Sequence, residues 1–83
     1  MVGVETPAGP VVVLRRKGAL HAYEDRCAHA RIKVSEGELC KGVLTCTAHF
    51  WSYDACTGHG VSHKAARLVP VPIEIRNGLV YLG

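Results

Sequence analysis

The sequence predicts an all-β domain, and the clearest reason is a hairpin near the carboxyl end. Residues 73–75 are apolar at alternating positions, residues 79–82 are apolar throughout, and Asn77-Gly78 lies between the two segments. Asn-Gly between two alternating segments is the strongest short-range signal of a β-hairpin, because both residues tolerate the positive φ of a type I′ turn. The carboxyl end is therefore predicted to form two antiparallel strands.

A second pair of strands is predicted nearer the amino end. Residues 11–14 form a β-branched apolar run, Lys17-Gly18 provides a tight turn, and residues 19–24 return from it. Arg15-Arg16-Lys17 thus falls at a hairpin tip, where a solvated turn is favoured over a docking patch. Further along, residues 43–46 are predicted to be a strand that ends at a cysteine.

Length and composition predict one domain over residues 1–83. The chain is 48% hydrophobic and 20% charged, and its apolar runs are too short to span a bilayer. The first residues contain neither a basic start nor an apolar signal core, so a cytoplasmic location is expected. A net charge of +3, without interleaved aromatic residues, disfavours nucleic-acid binding. So short a chain has a thin core, which a bound metal would stabilise.

Two short motifs supply potential metal ligands. The first is Cys27-Ala28-His29, and sixteen residues later the second runs from Cys46 to His49. Two thiolates and two imidazoles suit either a structural zinc ion or a [2Fe-2S] cluster in which two imidazoles ligate one iron. Zinc fingers usually group cysteines with cysteines and histidines with histidines, whereas each motif here has one of each. The mixed motifs favour the cluster.

The residues that follow His49 strengthen this interpretation. The segment from Phe50 through Tyr53-Asp54 to Thr57-Gly58 is similar to the tail of soluble bacterial Rieske ferredoxins, and the sequence as a whole resembles the Rieske family. The resemblance implies a small antiparallel sandwich or barrel with two cluster-binding loops at one end. It also implies that Cys27, His29, Cys46 and His49 ligate a Rieske-type [2Fe-2S] cluster.

The function implied by the resemblance is one-electron transfer. A flavin-containing reductase would supply the electron, and an oxygenase component would receive it. Trp51 and the segment 57–60 are most similar to ferredoxins of toluene and aromatic monooxygenases, which act in aromatic hydrocarbon catabolism. No nucleophile, base and oxyanion arrangement accompanies the ligands, so the chain is expected to be a carrier and not an enzyme.

Three alternatives remain open at this stage. The first is a ferredoxin for a ring-hydroxylating dioxygenase, which the sequence barely separates from the monooxygenase type. The second, from another class, is an interaction module in which the four ligands bind structural zinc. The third is a β domain without metal, which the matching tail disfavours.

The electrostatics of the ligand set predict the redox behaviour. Two ferric ions, two sulfides and two thiolates sum to zero with neutral imidazoles, so an added electron meets less repulsion than in a four-cysteine cluster. High-potential relatives have a serine and a tyrosine that donate hydrogen bonds to sulfur, at the positions held here by Trp51 and Tyr53. A low potential is therefore expected. Tyr53 either raises the potential slightly by a bond to the Cys27 sulfur or is simply a core aromatic.

Other side chains near the motifs have simpler predicted roles. Phe50 and Trp51 are expected to belong to the core, although an exposed indole would offer a partner a contact surface. Cys40 and Cys56 are expected to be free thiols. The extra disulfide of high-potential relatives is absent, because Ile32 and Ala48 occupy its positions. His59 and His63 are expected to be solvent-exposed.

Two departures from the family lead to further expectations. Relatives usually have a strand before the equivalent of residues 2–4, so this chain is expected to have an open sheet edge that could support a homodimer. Relatives also often place a proline-bearing cover over the cluster, whereas Ser62-His63-Lys64 contains no proline. A more exposed cluster is expected.

Overall fold

The all-β prediction is confirmed by a computed structural model, which describes residues 1–27, 32–47 and 50–82. The described residues form three antiparallel sheets and one 3-10 turn at Val34–Glu36. The eight strands, in chain order, are β1 (Val2–Thr6), β2 (Gly9–Arg16), β3 (Ala19–Glu24), β4 (Glu38–Cys40), β5 (Val43–Thr45), β6 (Ser52–Asp54), β7 (Ile73–Arg76) and β8 (Leu79–Leu82).

The strands are joined mainly by tight hairpins. Strands β1, β2 and β3 form one sheet, β4, β5 and β6 form a second, and β7 and β8 form the predicted carboxyl-terminal hairpin. Lys17-Gly18, Lys41-Gly42 and Asn77-Gly78 all have positive φ at both residues, from 50° to 80°. Two consecutive positive φ values define a type I′ turn, whose twist matches that of the flanking strands.

The core lies where the two three-stranded sheets meet. Val12 and Leu14 of β2 pack with Leu44 of β5 and Tyr53 of β6 in one buried cluster. Alternate residues of a strand point to the same face, so each sheet contributes one apolar face. Ten residues form this buried cluster: Val12, Leu14, Tyr23, Cys27, Val34, Leu44, Cys46, Tyr53, Ala55 and Leu68.

The first sheet has two different edges. Along its β3 edge, Glu24 donates its backbone N–H to Val69, and Val71 donates to Ala22, so the segment before β7 extends the sheet. Along the other edge, β1 pairs with β2 from Val2 to Thr6 and with no second strand within the described ranges. This edge is the one that the sequence predicts to be open.

No helix in the described part of the chain is long and apolar enough to cross a membrane.

Candidate metal centre

The first ligand motif begins directly after β3. Cys27 is 1% exposed, and its backbone N–H donates to the carbonyl of Ile32 at 2.9 Å, which closes a short loop. Asp25 holds the stem of the loop: its carboxylate accepts hydrogen bonds from the backbone N–H of Ser35 at 2.9 Å and from the Ser35 hydroxyl at 2.5 Å. Asp25 is buried, and these bonds satisfy a charge that would otherwise be costly.

The second ligand motif is built in the same way. Cys46 directly follows β5, is fully buried, and donates its backbone N–H to the carbonyl of Trp51 at 2.7 Å. In both loops the cysteine N–H therefore bonds to a carbonyl five residues later. Cys27 and Cys46 belong to the same buried cluster. The two predicted histidine ligands, His29 and His49, lie outside the described residues.

Tyr53 joins the two halves of the site. It lies in β6, is fully buried, and its hydroxyl oxygen lies 3.1 Å from the Cys27 sulfur. When Cys27 is a thiolate, the hydroxyl is the donor, because a thiolate has no proton to give. Tyr53 thus fills the core and also contacts the predicted sulfur, while its effect on the reduction potential stays a prediction.

Trp51 lies between the core and the surface. It packs against the buried cluster, and its indole stacks on the His63 imidazole with a centroid distance of 3.7 Å and an interplanar angle of 12°. Ser62 supports the stack, because its hydroxyl is 2.8 Å from His63 Nδ1 and accepts the Ser52 backbone N–H at 3.0 Å. An imidazole therefore covers the indole in the loop that lacks proline.

This stack refines two sequence expectations. His63 is exposed, as predicted, but one face of its ring is covered by Trp51, which sequence spacing did not indicate. His59 is also exposed.

The prediction that Phe50 belongs to the core is wrong. Its side chain is 76% exposed, and its φ of 55° lies in the left-handed region. The hydrogen bond from Cys46 to Trp51 explains this position, because it closes the loop one residue beyond Phe50 and leaves that side chain on the outer surface. A non-glycine residue at such a φ is uncommon and costs free energy.

The other two cysteines agree with the prediction. Cys40 and Cys56 are exposed and form no disulfide within the described ranges. Ile32 packs against the buried cluster, while Ala48 lies outside the described residues.

The pKa values of Tyr23 and Lys33, near the site, are displaced. The pKa of Tyr23 is raised above 10.0, first by burial and then by the negative charges of Cys56 and Asp54. Its hydroxyl donates to the carbonyl of Ala55 at 2.8 Å, so the neutral phenol is the form that the fold requires. The pKa of Lys33 is raised mainly by its hydrogen bond to Glu5.

The donor set fits an iron-sulfur cluster. Thiolates are the protein ligands that such clusters require, and Cys27 and Cys46 place two of them in one water-poor cluster of side chains. The Tyr53 hydroxyl at the Cys27 sulfur adds the kind of outer hydrogen bond that tunes a metal centre. The fold and these two loops thus define a small all-β protein in which two buried cysteines can serve as thiolate ligands.

Comparison with known proteins identifies the family. The model of the Rieske [2Fe-2S] domain matches residues 1–72, and the chain belongs to this family. Its cofactor is accordingly a Rieske-type [2Fe-2S] cluster, which decides against the zinc alternative.

Two curated relatives are ferredoxins. The chain is 32% identical over 74 residues to the ferredoxin component of the alkene monooxygenase system of Xanthobacter autotrophicus, and this match covers 88% of the chain and 61% of the relative. It is 33% identical over 76 residues to ferredoxin CarAc of Metapseudomonas resinovorans, covering 90% of the chain and 71% of the relative. The chain spans only 20% of a third relative, the 4beta-methylsterol monooxygenase of Methylococcus capsulatus.

Solved structures agree with the fold. A chain from the complex of reduced oxygenase and oxidized ferredoxin in carbazole 1,9a-dioxygenase superposes with a TM-score of 0.82 at 31% identity, covering 96% of this chain and 83% of that one. The Sphingomonas yanoikuyae B1 ferredoxin gives a TM-score of 0.85 at 20% identity, covering 98% and 81%. The second match shows the fold alone.

Proposed function

We propose that this protein is a ferredoxin that carries one electron from a flavin-containing reductase to an oxygenase. The observation that carries the proposal is the pair of buried cysteines, Cys27 and Cys46, each at the start of a closed loop in a Rieske-family chain. Two relatives that match 88% and 90% of the chain, and of which it covers 61% and 71%, are ferredoxins. They support a carrier, whereas the chain spans only 20% of the 4beta-methylsterol monooxygenase.

The proposed ligands are Cys27, His29, Cys46 and His49. When bound, the cluster accepts one electron and returns it. The two thiolates bind iron and remove water from that side, because both side chains are buried in the core. The two imidazoles are expected to bind iron through one ring nitrogen and to leave the other available to water or a partner.

Three further residues, Tyr53, Trp51 and His63, adjust the surroundings of the cluster. Tyr53 donates to the Cys27 sulfur and so favours the more negative, reduced state. The His63 imidazole covers one face of the Trp51 indole, which packs against the buried cluster, and this stack is expected to limit the approach of water. No residue of the chain is assigned a catalytic role.

Two kinds of oxygenase are candidates for the acceptor. The similarity to the alkene monooxygenase ferredoxin supports a monooxygenase as the acceptor. Trp51 and residues 57–60 predict the same class, and more specifically an aromatic monooxygenase. The carbazole dioxygenase ferredoxin supports a ring-hydroxylating dioxygenase equally well. The proposal is therefore an oxygenase ferredoxin of either kind.

The remaining features of the proposal concern the whole chain. We assign residues 1–83 to one domain and place the protein in the cytoplasm, where thiols stay reduced. A homodimer through the edge of β1 is a further part of the proposal, since that strand pairs only with β2 among the described strands. Sedimentation analysis at several concentrations tests it, and a monomer throughout would contradict it.

The experiment that tests the function is a metal and spectroscopic assay with matched cysteine variants. We expect two irons and two acid-labile sulfides per chain, and a Rieske-type EPR signal after reduction with dithionite. Cys27→Ser and Cys46→Ser should lose this signal, whereas Cys40→Ser and Cys56→Ser should retain it, because those thiols are exposed. A colourless protein with one zinc ion would contradict the proposal.

A further inference from the structure

The surface beside the second ligand loop has an unusual combination of groups. A cavity of about 240 Å³ opens there, and Cys46 forms part of its wall. Two carboxylates, Glu36 and Glu38, line one side, and the ring of Phe50 lines another. Acidic side chains and an exposed aromatic therefore meet directly over a proposed cluster ligand.

Glu36 and Glu38 differ from the other glutamates in their ion pairing. Elsewhere the carboxylates of Glu5, Glu24 and Glu74 form ion pairs with Lys33 at 3.2 Å, Arg26 at 3.5 Å and Arg76 at 3.1 Å. Within residues 1–27, 32–47 and 50–82, neither Glu36 nor Glu38 takes part in an ion pair. Both belong to exposed residues, so the cavity carries two carboxylates. Lys33 forms its ion pair with Glu5 and interacts with Glu36 only beyond ion-pair distance.

Two turns that contain basic residues lie at the other end of the strands. The Lys17-Gly18 and Lys41-Gly42 turns precede β3 and β5, whereas Cys27 and Cys46 follow those strands. The Arg16 guanidinium packs over Gly42, where a Cβ atom would lie 2.7 Å from Arg16 Nε, so the two basic turns are neighbours. Strand β4, which begins at Glu38 and ends next to the Lys41-Gly42 turn, has three residues and spans about 10 Å.

The surface around Glu36 and Glu38 is thus locally acidic, although the net charge of the chain is +3. A molecule with separated charges turns in the field of an approaching partner, and the side of opposite sign leads. A basic partner would therefore meet the Glu36 and Glu38 side, next to Cys46, while the basic turns point away.

Phe50 provides the apolar part of the same surface. Its ring is 76% exposed at a φ of 55°, so the chain sustains both an unfavourable backbone conformation and an exposed aromatic at one residue. Unfavourable backbone conformations cluster at functional sites. Aromatic side chains are enriched at the centres of protein interfaces, where polar residues surround them.

We propose that Glu36, Glu38 and Phe50 form the surface on which a protein redox partner docks, and that this partner presents lysine or arginine side chains around an apolar patch. The inference rests on the proposed electron-transfer function and specifies the partner of that site. The carboxylates orient and accelerate the encounter, and Phe50 makes the apolar contact once the two surfaces meet.

The test uses cytochrome c as the partner, because lysines surround its exposed haem edge. The dithionite-reduced protein, freed of excess reductant, is mixed with ferric cytochrome c, and the second-order rate constant is measured by stopped flow. One electron leaves the cluster and one ferric haem becomes ferrous. Ionic strength is varied from about 0.01 M to about 0.15 M, over which the Debye length falls from about 30 Å to about 8 Å.

The direction in which the rate constant changes with ionic strength distinguishes attraction by the acidic surface from repulsion by the overall positive charge. If the acidic surface docks, the rate constant should fall by about tenfold as ionic strength rises, because an attraction is being screened. If the net charge of +3 governs the encounter, the two cationic proteins repel each other and the rate constant rises instead. A rising rate constant would overturn the proposal.

Variants then identify the residues that are responsible for the rate constant and its salt dependence. The double substitution Glu36→Gln and Glu38→Gln should slow the reaction about tenfold at low ionic strength and remove most of its salt dependence. The matched control Glu74→Gln, on the β7–β8 hairpin, should keep the wild-type rate constant and the wild-type salt dependence. Phe50→Ala should slow the reaction about fivefold at both ionic strengths, since an apolar contact is not screened.

Two further measurements keep the outcomes distinct. The reduction potential of each variant is determined, so that a changed driving force is not mistaken for changed docking. A double variant that keeps the wild-type salt dependence would contradict the docking surface while leaving the carrier function intact. Absence of a Rieske-type EPR signal in the wild type would instead contradict the proposed function and, with it, this inference.

Discussion

The Tyr53 hydroxyl lies 3.1 Å from the Cys27 sulfur, between strand β6 and the first ligand loop. A donor to a ligand sulfur stabilises the reduced state more than the oxidised state, because reduction increases the negative charge on sulfur. Tyr53→Phe should therefore lower the reduction potential. A difference of about 1 kcal/mol between the two states corresponds to about 40 mV for one electron.

Tyr23→Phe is the matched control for this measurement. Tyr23 is also buried, but its hydroxyl donates to the carbonyl of Ala55. Its removal should leave the potential unchanged within experimental error, as measured by a spectroscopic redox titration. Equal shifts in both variants would indicate a general effect of lost core hydroxyls and would contradict a specific bond to sulfur.

The sequence predicted those parts of the molecule that depend on local chemistry. Asn77-Gly78 specifies its hairpin because both residues adopt positive φ at low cost. Cys27 and Cys46 were identified because few functions need thiol and imidazole at such spacing, and both are buried where a ligand is expected.

The sequence did not predict features that arise from contacts between distant segments. The stacking of His63 on Trp51 depends on how the loop after β6 folds back, which no local pattern encodes. Sequence alone predicts Phe50 to be a core residue, because most aromatics in small domains are buried. The hydrogen bond between Cys46 and Trp51 directs it outward, and loop closure of this kind cannot be read from hydrophobicity.

The stack of Trp51 on His63 leads to a prediction about cluster retention. His63→Ala would uncover the indole and allow water to reach the second loop, so the cluster should be lost several-fold faster. His63→Phe should preserve the stack and the wild-type rate, since a phenyl ring also packs on an indole. The measurement is the decay of visible absorbance in the presence of an iron chelator.

His59→Ala is the control for that experiment. His59 is an exposed histidine of the same loop region, so it reproduces the loss of an imidazole without the loss of the stack. Unchanged cluster loss in His63→Ala would mean that the stack does not protect the centre.

The backbone at Phe50 predicts a substitution that increases stability. Glycine adopts a φ of 55° without the steric cost that a Cβ atom imposes, which is about 1 kcal/mol for a single residue. Little burial is lost because the ring is 76% exposed. Phe50→Gly should therefore raise the thermal unfolding midpoint of the cluster-loaded protein.

Phe50→Ala separates the two contributions to this effect. It removes the same ring but keeps a Cβ atom, so its midpoint should stay near that of the wild type. A midpoint for Phe50→Gly at or below that of Phe50→Ala would show that the backbone conformation costs nothing.

The hydrogen bonds of the Asp25 carboxylate lead to a prediction about stability and iron content. The carboxylate accepts two hydrogen bonds from Ser35 in a buried position, and hydrogen bonds to charged groups contribute about 1.5–3 kcal/mol. Asp25→Ala should lower stability by about 2–3 kcal/mol and reduce the iron content of the purified protein. Chemical unfolding and iron analysis provide the two measurements.

Glu5→Ala provides the comparison for Asp25. Glu5 also bonds across to a neighbouring segment, through Lys33, but on the exposed surface where ion pairs contribute little. Its removal should leave iron content unchanged. A comparable loss in both variants would contradict the special role of the buried carboxylate.

The pKa of Tyr23 predicts how the fold responds to alkali. Burial, followed by the charges of Cys56 and Asp54, raises this pKa above 10.0, so the folded protein holds the phenolic proton more tightly than the unfolded chain does. The associated stability is fully present below about pH 10 and is lost as pH rises from there through the folded-state pKa. Thermal unfolding midpoints should therefore fall more steeply above pH 10 in the wild type than in Tyr23→Phe. The raised pKa of Lys33 also makes stability depend on pH in the alkaline range, but this contribution is the same in the wild type and in Tyr23→Phe. Tyr81→Phe, which removes an exposed tyrosine, should keep the wild-type slope. If Tyr23→Phe also kept it, the buried phenol would not be the group that titrates.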